Sequence, residues 1–497
     1  MVEKYDVIII GGGVVGCMTA RFLSRYELDI LLIEKASDIG SATSAANTAL
    51  VHPGYDPVSG SLKARMNVAA VPLWPGLSAE LNFNYERSGD YVVAIGPEEL
   101  PKLDELFERG KRNGVNGMHF VSGDEMRRRE PLMNPDVSGA LFAETGSICD
   151  PFGATLAAAE NAIMNGVTLM RETAFEDFII QDKRIVGVRT NRGDFSCRWA
   201  INCAGLYSDF VMHKAGVRPD FKITPRKGEY LILDRAEFQL RSVYFPVPNE
   251  VSKGILATNT VHGNAILGPT AHEQVDREDK ANSSDGLQEV MEGARKLIPA
   301  IEPRHVIATF AGLRAAGNAP CDTPGVDYRH DFIVEIPAEV RGLVNLGGIE
   351  SPGLSSSPAI ALRVIDLLRD AGEPLKEKKD WNPIRPARPR FRHMSYAERQ
   401  AVIQKDDRYG RMVCRCENVT EGEIVAEVHA PIPANSYDAI KRRTWLGTGR
   451  CQGGFDLPRV THILARELGQ SELEMTKKGP GSAFLTRLTK QVEESHD

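Results

Sequence analysis

The sequence contains no apolar run long enough to cross a bilayer, which takes about 20 residues. It has no excess of positive charge. Its 60 Lys and Arg stand against 67 Asp and Glu, a net charge of −7, which argues against general nucleic-acid binding. Cysteine is sparse. Eight in 497 residues do not make a disulfide framework. The opening residues, MVEKYDVIII, lack a secretory pattern and run directly into an apolar strand and then glycines. These features point to a cytoplasmic protein, with peripheral association at the inner membrane left open by composition. What the sequence does have is 42% apolar residues, enough for real cores, and a length that calls for two to three domains.

The first 370 residues read as a mixed α/β body. Tyr5 to Ile10 is a short apolar strand, Val14 to Tyr26 carries apolar residues at helical spacing, and Asp29 to Ile33 is a second strand. This β-α-β order implies a parallel pair with a crossover helix. Arg184 to Ala204 reads as a hairpin turning at Asn191–Asp194. Tyr230–Leu233, Ser242–Val247, Gly254–Thr258 and Asn264–Gly268 read as strands of an antiparallel sheet in an inserted domain. Near residue 375 the composition changes. KEKKDWNPIRPARPRFRH is basic, proline-rich and aperiodic, as expected of a linker or a surface strap. A compact tail follows, with Thr420 and Glu423 spaced as a capping box.

Gly11, Gly13 and Gly16 spell G-x-G-x-x-G between the first strand and its helix. Residues without Cβ let the backbone approach a pyrophosphate, which then sits at the helix N-terminus. Glu34 closes the second strand, where a carboxylate can accept from ribose hydroxyls, and Lys35 follows it. These features specify a dinucleotide without deciding between NAD and FAD.

KASDIGSATSAANTALVHPGY, after Glu34, resembles the second phosphate-contacting segment of the D-amino-acid-oxidase-type flavoproteins, a branch of the glutathione-reductase-like FAD fold. The resemblance places Thr43, Ser44 and Asn47 along the pyrophosphate and flavin. NCAGLYSD, with Ala204 and Gly205, resembles the family's strand that returns to the adenine side. GLVNLGGIESPGLSSSPAIA resembles its C-terminal flavin segment, which nominates Gly347, Gly348, Gly353 and Leu354. Pro358 suits the first turn of a helix running to about Leu368, capped by Ser355 to Ser357. Within the family the nearest likeness is to the soluble glycerol-3-phosphate oxidases and dehydrogenases, with L-2-hydroxyglutarate oxidases close behind.

The likeness implies an FAD-dependent oxidation of a small anionic alcohol, with sn-glycerol 3-phosphate first in order and an L-2-hydroxy acid or a secondary amino acid behind it. It matches His52 and Lys253 to residues flanking the reactive carbon and Arg314 to the residue gripping the anion. His262, in TVHGN, is a fourth candidate. The chemistry suits these residue types. A histidine can take the hydroxyl proton, an arginine offers a planar fork to phosphate or carboxylate, and a lysine offers a point charge near a developing alkoxide. A reading from another class is a non-catalytic FAD-binding subunit assembled with a partner.

Cys414, Cys416 and Cys451 fall within one short tail, which suggests a metal site, and four-coordination needs one more ligand. VCRCENVTEGEI and RCQGGF resemble the bacterioferritin-associated-ferredoxin-like [2Fe–2S] domain, in which a cysteine stands where this chain has Asp456. Three readings follow: a [2Fe–2S] cluster with Asp456 as fourth ligand, a cluster-free domain kept for packing, and a zinc ion on the same four residues. A cluster implies an electron-acceptor protein or second subunit as partner. Cys17, Cys149, Cys197, Cys203 and Cys321 read as core residues.

The expected architecture is a glutathione-reductase-like α/β FAD-binding domain over 1–85, 145–215 and 325–375. An inserted antiparallel-sheet substrate domain fills 86–144 and 216–324. A linker spans 376–409, a small helical cysteine domain 410–470, and a tail 471–497.

Overall fold

The computed structural model describes residues 3–217, 221–248, 254–317 and 331–487. Lys253 and Cys321 lie outside the described residues. The chain divides into two compact units. The first is Met1–Lys35 with Ile39–Arg385, and the second is Ala36–Asp38 with Pro386–Asp497.

The first unit is built on a six-stranded sheet in the order Thr168–Met170, Ile30–Ile33, Val7–Ile10, Trp199–Asn202, Leu343–Gly347, Ile333–Glu335. The first five run parallel and the last is antiparallel. Val7–Ile10 and Ile30–Ile33 are apolar at every position because both faces of the sheet are covered. On one side the helices Val14–Leu23, Pro151–Met164 and Gly353–Asp370 pack together. On the other, Ile8, Ile10, Leu31 and Ile33 share a core with Phe178, Ile185, Val188 and Phe195 of a four-stranded sheet.

Two sequence expectations change here. Arg184–Thr190 and Gly193–Ser196 do form the hairpin, but Trp199–Asn202 leaves it to join the parallel sheet, where all four of its residues are buried. The flavin-segment helix also starts earlier than Pro358, at Gly353, so Pro358 lies inside it. A proline there deprives the Leu354 carbonyl of its amide donor. The Ser357 hydroxyl replaces that donor at 2.8 Å, which lets the helix run through.

A second sheet of nine strands completes this unit. It contains the four strands expected from sequence, but the first extends over Ile223–Leu233, because pairing with Val306–Gly317 carries it through the polar RKGE stretch. The sheet is mixed rather than antiparallel throughout, since Val243–Pro246 runs parallel to Asp90–Ile95.

The second unit packs the helices Glu421–Val428, Tyr437–Thr444 and Leu457–Leu468 on a small hairpin, Met412–Cys414 with Val419–Thr420. The Thr420–Glu423 capping box is formed. The stretch read as an aperiodic linker contains the helix Tyr396–Lys405, started by a capping box from Ser395 to Glu398. Its arginines are not merely solvated. Arg388 and Arg390 each meet the fully buried Glu427 at 2.8 Å, and Arg392 meets Glu417 at 2.8 Å. A buried carboxylate must be compensated in this way. Among the described residues no helix is long and apolar enough to cross a membrane.

Candidate functional site

The glycine loop holds two glycines at which a Cβ would clash with the protein and one at which it would not. Gly11 sits at φ +113, and a Cβ there would meet the Cys203 carbonyl oxygen at 2.5 Å. A Cβ at Gly16 would run into the Gly11 carbonyl. Gly13 differs. Its backbone is extended, it gives the helix Val14–Leu23 no side-chain cap, and a Cβ there would meet only the Ser44 hydroxyl at 3.4 Å. The bare side of the loop is therefore where a pyrophosphate can approach the helix end. Gly13→Ala is expected to fold but to bind FAD roughly ten- to a hundredfold more weakly, as overpacking by one methyl costs about 1–3 kcal/mol. Gly16→Ala should lose the fold. Flavin titration with far-UV circular dichroism separates the two.

Around the loop, Glu34 accepts from the Gly12 amide at 2.8 Å, and Ser44 accepts from the Val14 amide at 2.9 Å. Thr43 donates to the Leu313 carbonyl at 2.7 Å. Asn47 ties the segment together, donating to the carbonyls of Thr43 and Ser44 and accepting from Ala49. Lys35 points to Glu278 at 3.0 Å and lies over the Tyr207 ring. The Ala204 amide donates to Asn202, and Gly205 adopts φ +55. A Cβ at Gly347 would meet the Phe221 ring at 2.6 Å, and Gly348 sits at φ +62. Gly353 and Leu354 form the first turn of their helix.

That first turn also braces His52. Ser355 Oγ accepts from the His52 amide at 2.9 Å and donates to the Leu50 carbonyl at 3.1 Å. Asn67 donates to the His52 carbonyl at 2.6 Å. The imidazole lies against Phe245, with ring centroids 5.5 Å apart. Val261 packs with Leu50 and Phe245. Its neighbour His262 is buried, with Nε2 3.8 Å from Asp150.

Arg314 lies one residue beyond Leu313, whose carbonyl Thr43 holds. Directly opposite it, on the neighbouring strand, is Arg226. Opposed residues of an antiparallel pair share a sheet face, and like charges so placed repel. Arg314 donates to the Thr270 carbonyl at 2.6 Å, while its buried Nε has no partner among the described residues. Burial pulls its guanidinium below the ordinary value; Tyr230 and Glu350 act upward and Arg226 downward. Glu350 meets Lys63 at 3.1 Å and Arg226 at 4.0 Å. Burial works against its carboxylate, but Lys63 and Arg226 outweigh it and hold it below the usual range. Lys63 is placed by Asp331, which accepts from the Leu62 and Lys63 amides at 2.8 Å. Lys63, Arg226 and Arg314 thus gather against the buried Glu350 and the exposed Glu273, which meets Arg226 at 3.2 Å, leaving a net positive cluster suited to an anion.

Sequence reasoning missed Lys63 and Glu350, assigned no role to Arg226, and read Ser355 to Ser357 as helix caps, whereas all three lie inside the helix and Ser355 holds the His52 main chain. It also missed Gly312, where a Cβ would run into the Ala46 carbonyl. A glycine inside a strand signals such a close backbone approach, so this one was findable.

In the second unit the four candidate ligands fall into two pairs. Cys416 and Cys451 have Sγ atoms 3.6 Å apart. Cys414 lies beside Asp456, and burial, reinforced by that carboxylate, pushes its thiol up to about 11. Tyr437 donates to Asp456 Oδ1 at 2.7 Å. Cys17, Cys149 and Cys197 are buried, as expected of core residues.

Residues 6–367 match the family described as FAD dependent oxidoreductase. The chain belongs to that family. Residues 412–466 of this oxidoreductase match the BFD-like [2Fe-2S] binding domain. The chain is 40% identical to a glycerol 3-phosphate dehydrogenase of Caloramator mitchellensis, over 98% of this chain and 99% of the relative. It is 31% identical to a glycerol 3-phosphate oxidase of Mycoplasma genitalium, over 77% of this chain and 98% of the relative. Among solved structures, the dithionite-reduced L-alpha-glycerophosphate oxidase of Mycoplasma pneumoniae with FAD bound is similar, with a TM-score of 0.72 and 30% identity. That match covers 78% of this chain and 100% of the other. The chain is an FAD-dependent, glycerol-3-phosphate-dehydrogenase-like oxidoreductase.

Proposed function

We propose that this oxidoreductase oxidises the secondary alcohol of sn-glycerol 3-phosphate. The observation that carries the reading is the Arg226–Arg314 pair. Two like charges face each other on one sheet face, one with a buried Nε that has no partner among the described residues, beside the Thr43–Asn47 segment of the nucleotide cradle. A dianionic phosphate turns that repulsion into attraction and offers oxygens to the planar guanidinium. The names of the similar proteins support the same substrate.

FAD, held by the Gly11–Gly16 loop, Glu34 and the Thr43–Asn47 segment, supplies a hydride acceptor at N5. The remaining work belongs to side chains. Arg314 and Arg226 fix the phosphate, with Glu273 and Glu350 setting Arg226 in place. His52 takes the hydroxyl proton onto its imidazole. Its main chain is clamped by Ser355 and Asn67, so the ring is presented from a fixed backbone. His262, with Nε2 3.8 Å from Asp150, assists at the alcohol.

An anaerobic bleaching assay on the purified yellow protein tests this. Glycerol 3-phosphate should discharge the flavin colour within seconds, whereas 2-hydroxyglutarate and proline should leave it. Bleaching by 2-hydroxyglutarate alone would overturn the substrate assignment, and bleaching by nothing would favour a non-catalytic subunit.

A further inference from the structure

We propose that the cysteine centre of the second unit is a complete three-cysteine, one-aspartate [2Fe–2S] site in which the Tyr437 hydroxyl holds Asp456 as the fourth ligand. The inference concerns the second unit alone and does not depend on the substrate assigned above.

Asp456 stands at the N-cap position of the helix Leu457–Leu468. An aspartate there ordinarily accepts from a first-turn amide. This one makes no such bond. Its carboxylate turns to Tyr437 instead. The carboxylate takes the Tyr437 hydroxyl on Oδ1 and lies within hydrogen-bonding range of the Cys414 thiol, while Oδ2 is buried with no hydrogen-bond partner among the described residues. A carboxylate only 2% exposed is costly unless positive charge compensates it; Lys441 supplies part of that charge, and a metal at Oδ2 would complete it. The side chain beside it is Cys414, itself an iron ligand by type.

The backbone is cleared for this arrangement. Gly447 and Gly453 both adopt positive φ, and a Cβ at either would run into the Tyr437 hydroxyl. A Cβ at Gly449 would meet that of Cys416 at 2.5 Å. Three glycines in the Cys451 loop region thus make room for one phenol and one cysteine. A domain retained only for packing has no need of such clearance.

The pairing matches two irons. Two sulfurs on one tetrahedral metal, at about 2.3 Å each, lie roughly 3.8 Å apart. Cys416 and Cys451 are at 3.6 Å. Each iron of a [2Fe–2S] cluster takes two protein ligands, and non-cysteine donors on one iron are known from Rieske centres. Cys416 with Cys451 would hold one iron and Cys414 with Asp456 the other.

Tyr437 is then a positioning residue. It orients the carboxylate and draws charge from it, as outer-shell hydrogen bonds do at metal ligands, where their loss costs about 10–100-fold in metal retention. The test uses the full-length chain purified anaerobically, with iron and acid-labile sulfide analysis, electron paramagnetic resonance after dithionite reduction, and the rate of iron loss to a chelator. The wild type should hold about two irons and two sulfides per chain. Asp456→Ala should hold neither while keeping its FAD. Tyr437→Phe should release iron about 10–100-fold faster and shift the resonance signature. In an Asp456→Cys background the same Tyr437→Phe change should alter neither. Equal effects in both backgrounds would make Tyr437 a structural residue only and overturn its role. A wild type without iron, alongside an Asp456→Cys variant that gains a cluster, would show the natural site to be defective.

Discussion

Replacing Arg314 with methionine should lower kcat/KM for glycerol 3-phosphate by about a thousandfold. Truncating one partner of a buried, hydrogen-bonded charge pair costs about 2–5 kcal/mol, or roughly 30- to 5,000-fold in kcat/KM. The upper half of that range applies because Arg314 Nε is buried with no partner among the described residues, so the phosphate would be the first group to satisfy it. The phosphate does not react, so it is gripped equally before and during hydride transfer. The loss should therefore fall mainly on KM, with kcat at saturation changed far less. Turnover of unphosphorylated glycerol, slow in the wild type, should be unaffected. Lysine at 314 keeps the charge but not the fork, and should recover only part of the loss. Equal losses for glycerol and glycerol phosphate would remove Arg314 from the phosphate site and make it a support of the sheet.

The pocket that carries this prediction was only half legible. Gly11, Gly13, Gly16 and Glu34 could be read directly because the loop, strand and helix that give them meaning are contiguous. Arg314 could be picked out from its motif, but its partner could not. Arg226 faces it through the register of two long strands distant in sequence, and no local pattern reports register. Glu350 looked like one residue of a flavin segment. Its importance comes from Lys63 and Arg226, which arrive from other elements. Pro358 was misplaced for a different reason. A proline normally marks a first turn, and only the side-chain donor from Ser357 lets the helix begin five residues earlier. In the second unit, the composition of the basic strap suggested a solvated linker. The glutamates that fix Arg388, Arg390 and Arg392 are buried in a helix and a turn that come later in the chain.

Replacing His52 with asparagine should lower kcat by about 10²–10⁴-fold, the usual contribution of a positioned general base. The fold should survive. The contacts from Ser355 and Asn67 go to its amide and carbonyl, which asparagine retains, and the imidazole packs against Phe245. Flavin content and the affinity for glycerol 3-phosphate should therefore stay near wild type, since neither the dinucleotide cradle nor the arginine pair is touched. The decisive readout is the pH profile. If His52 accepts the hydroxyl proton, wild-type kcat/KM falls on the acid side as the imidazole becomes protonated, and that limb should vanish in the variant. His262→Asn serves as the comparison. That imidazole faces the Asp150 carboxylate, so losing it should weaken turnover without removing the acid limb. Were the limb to vanish in His262→Asn and persist in His52→Asn, the base would be His262, and His52 would serve only to shape the wall beside Phe245.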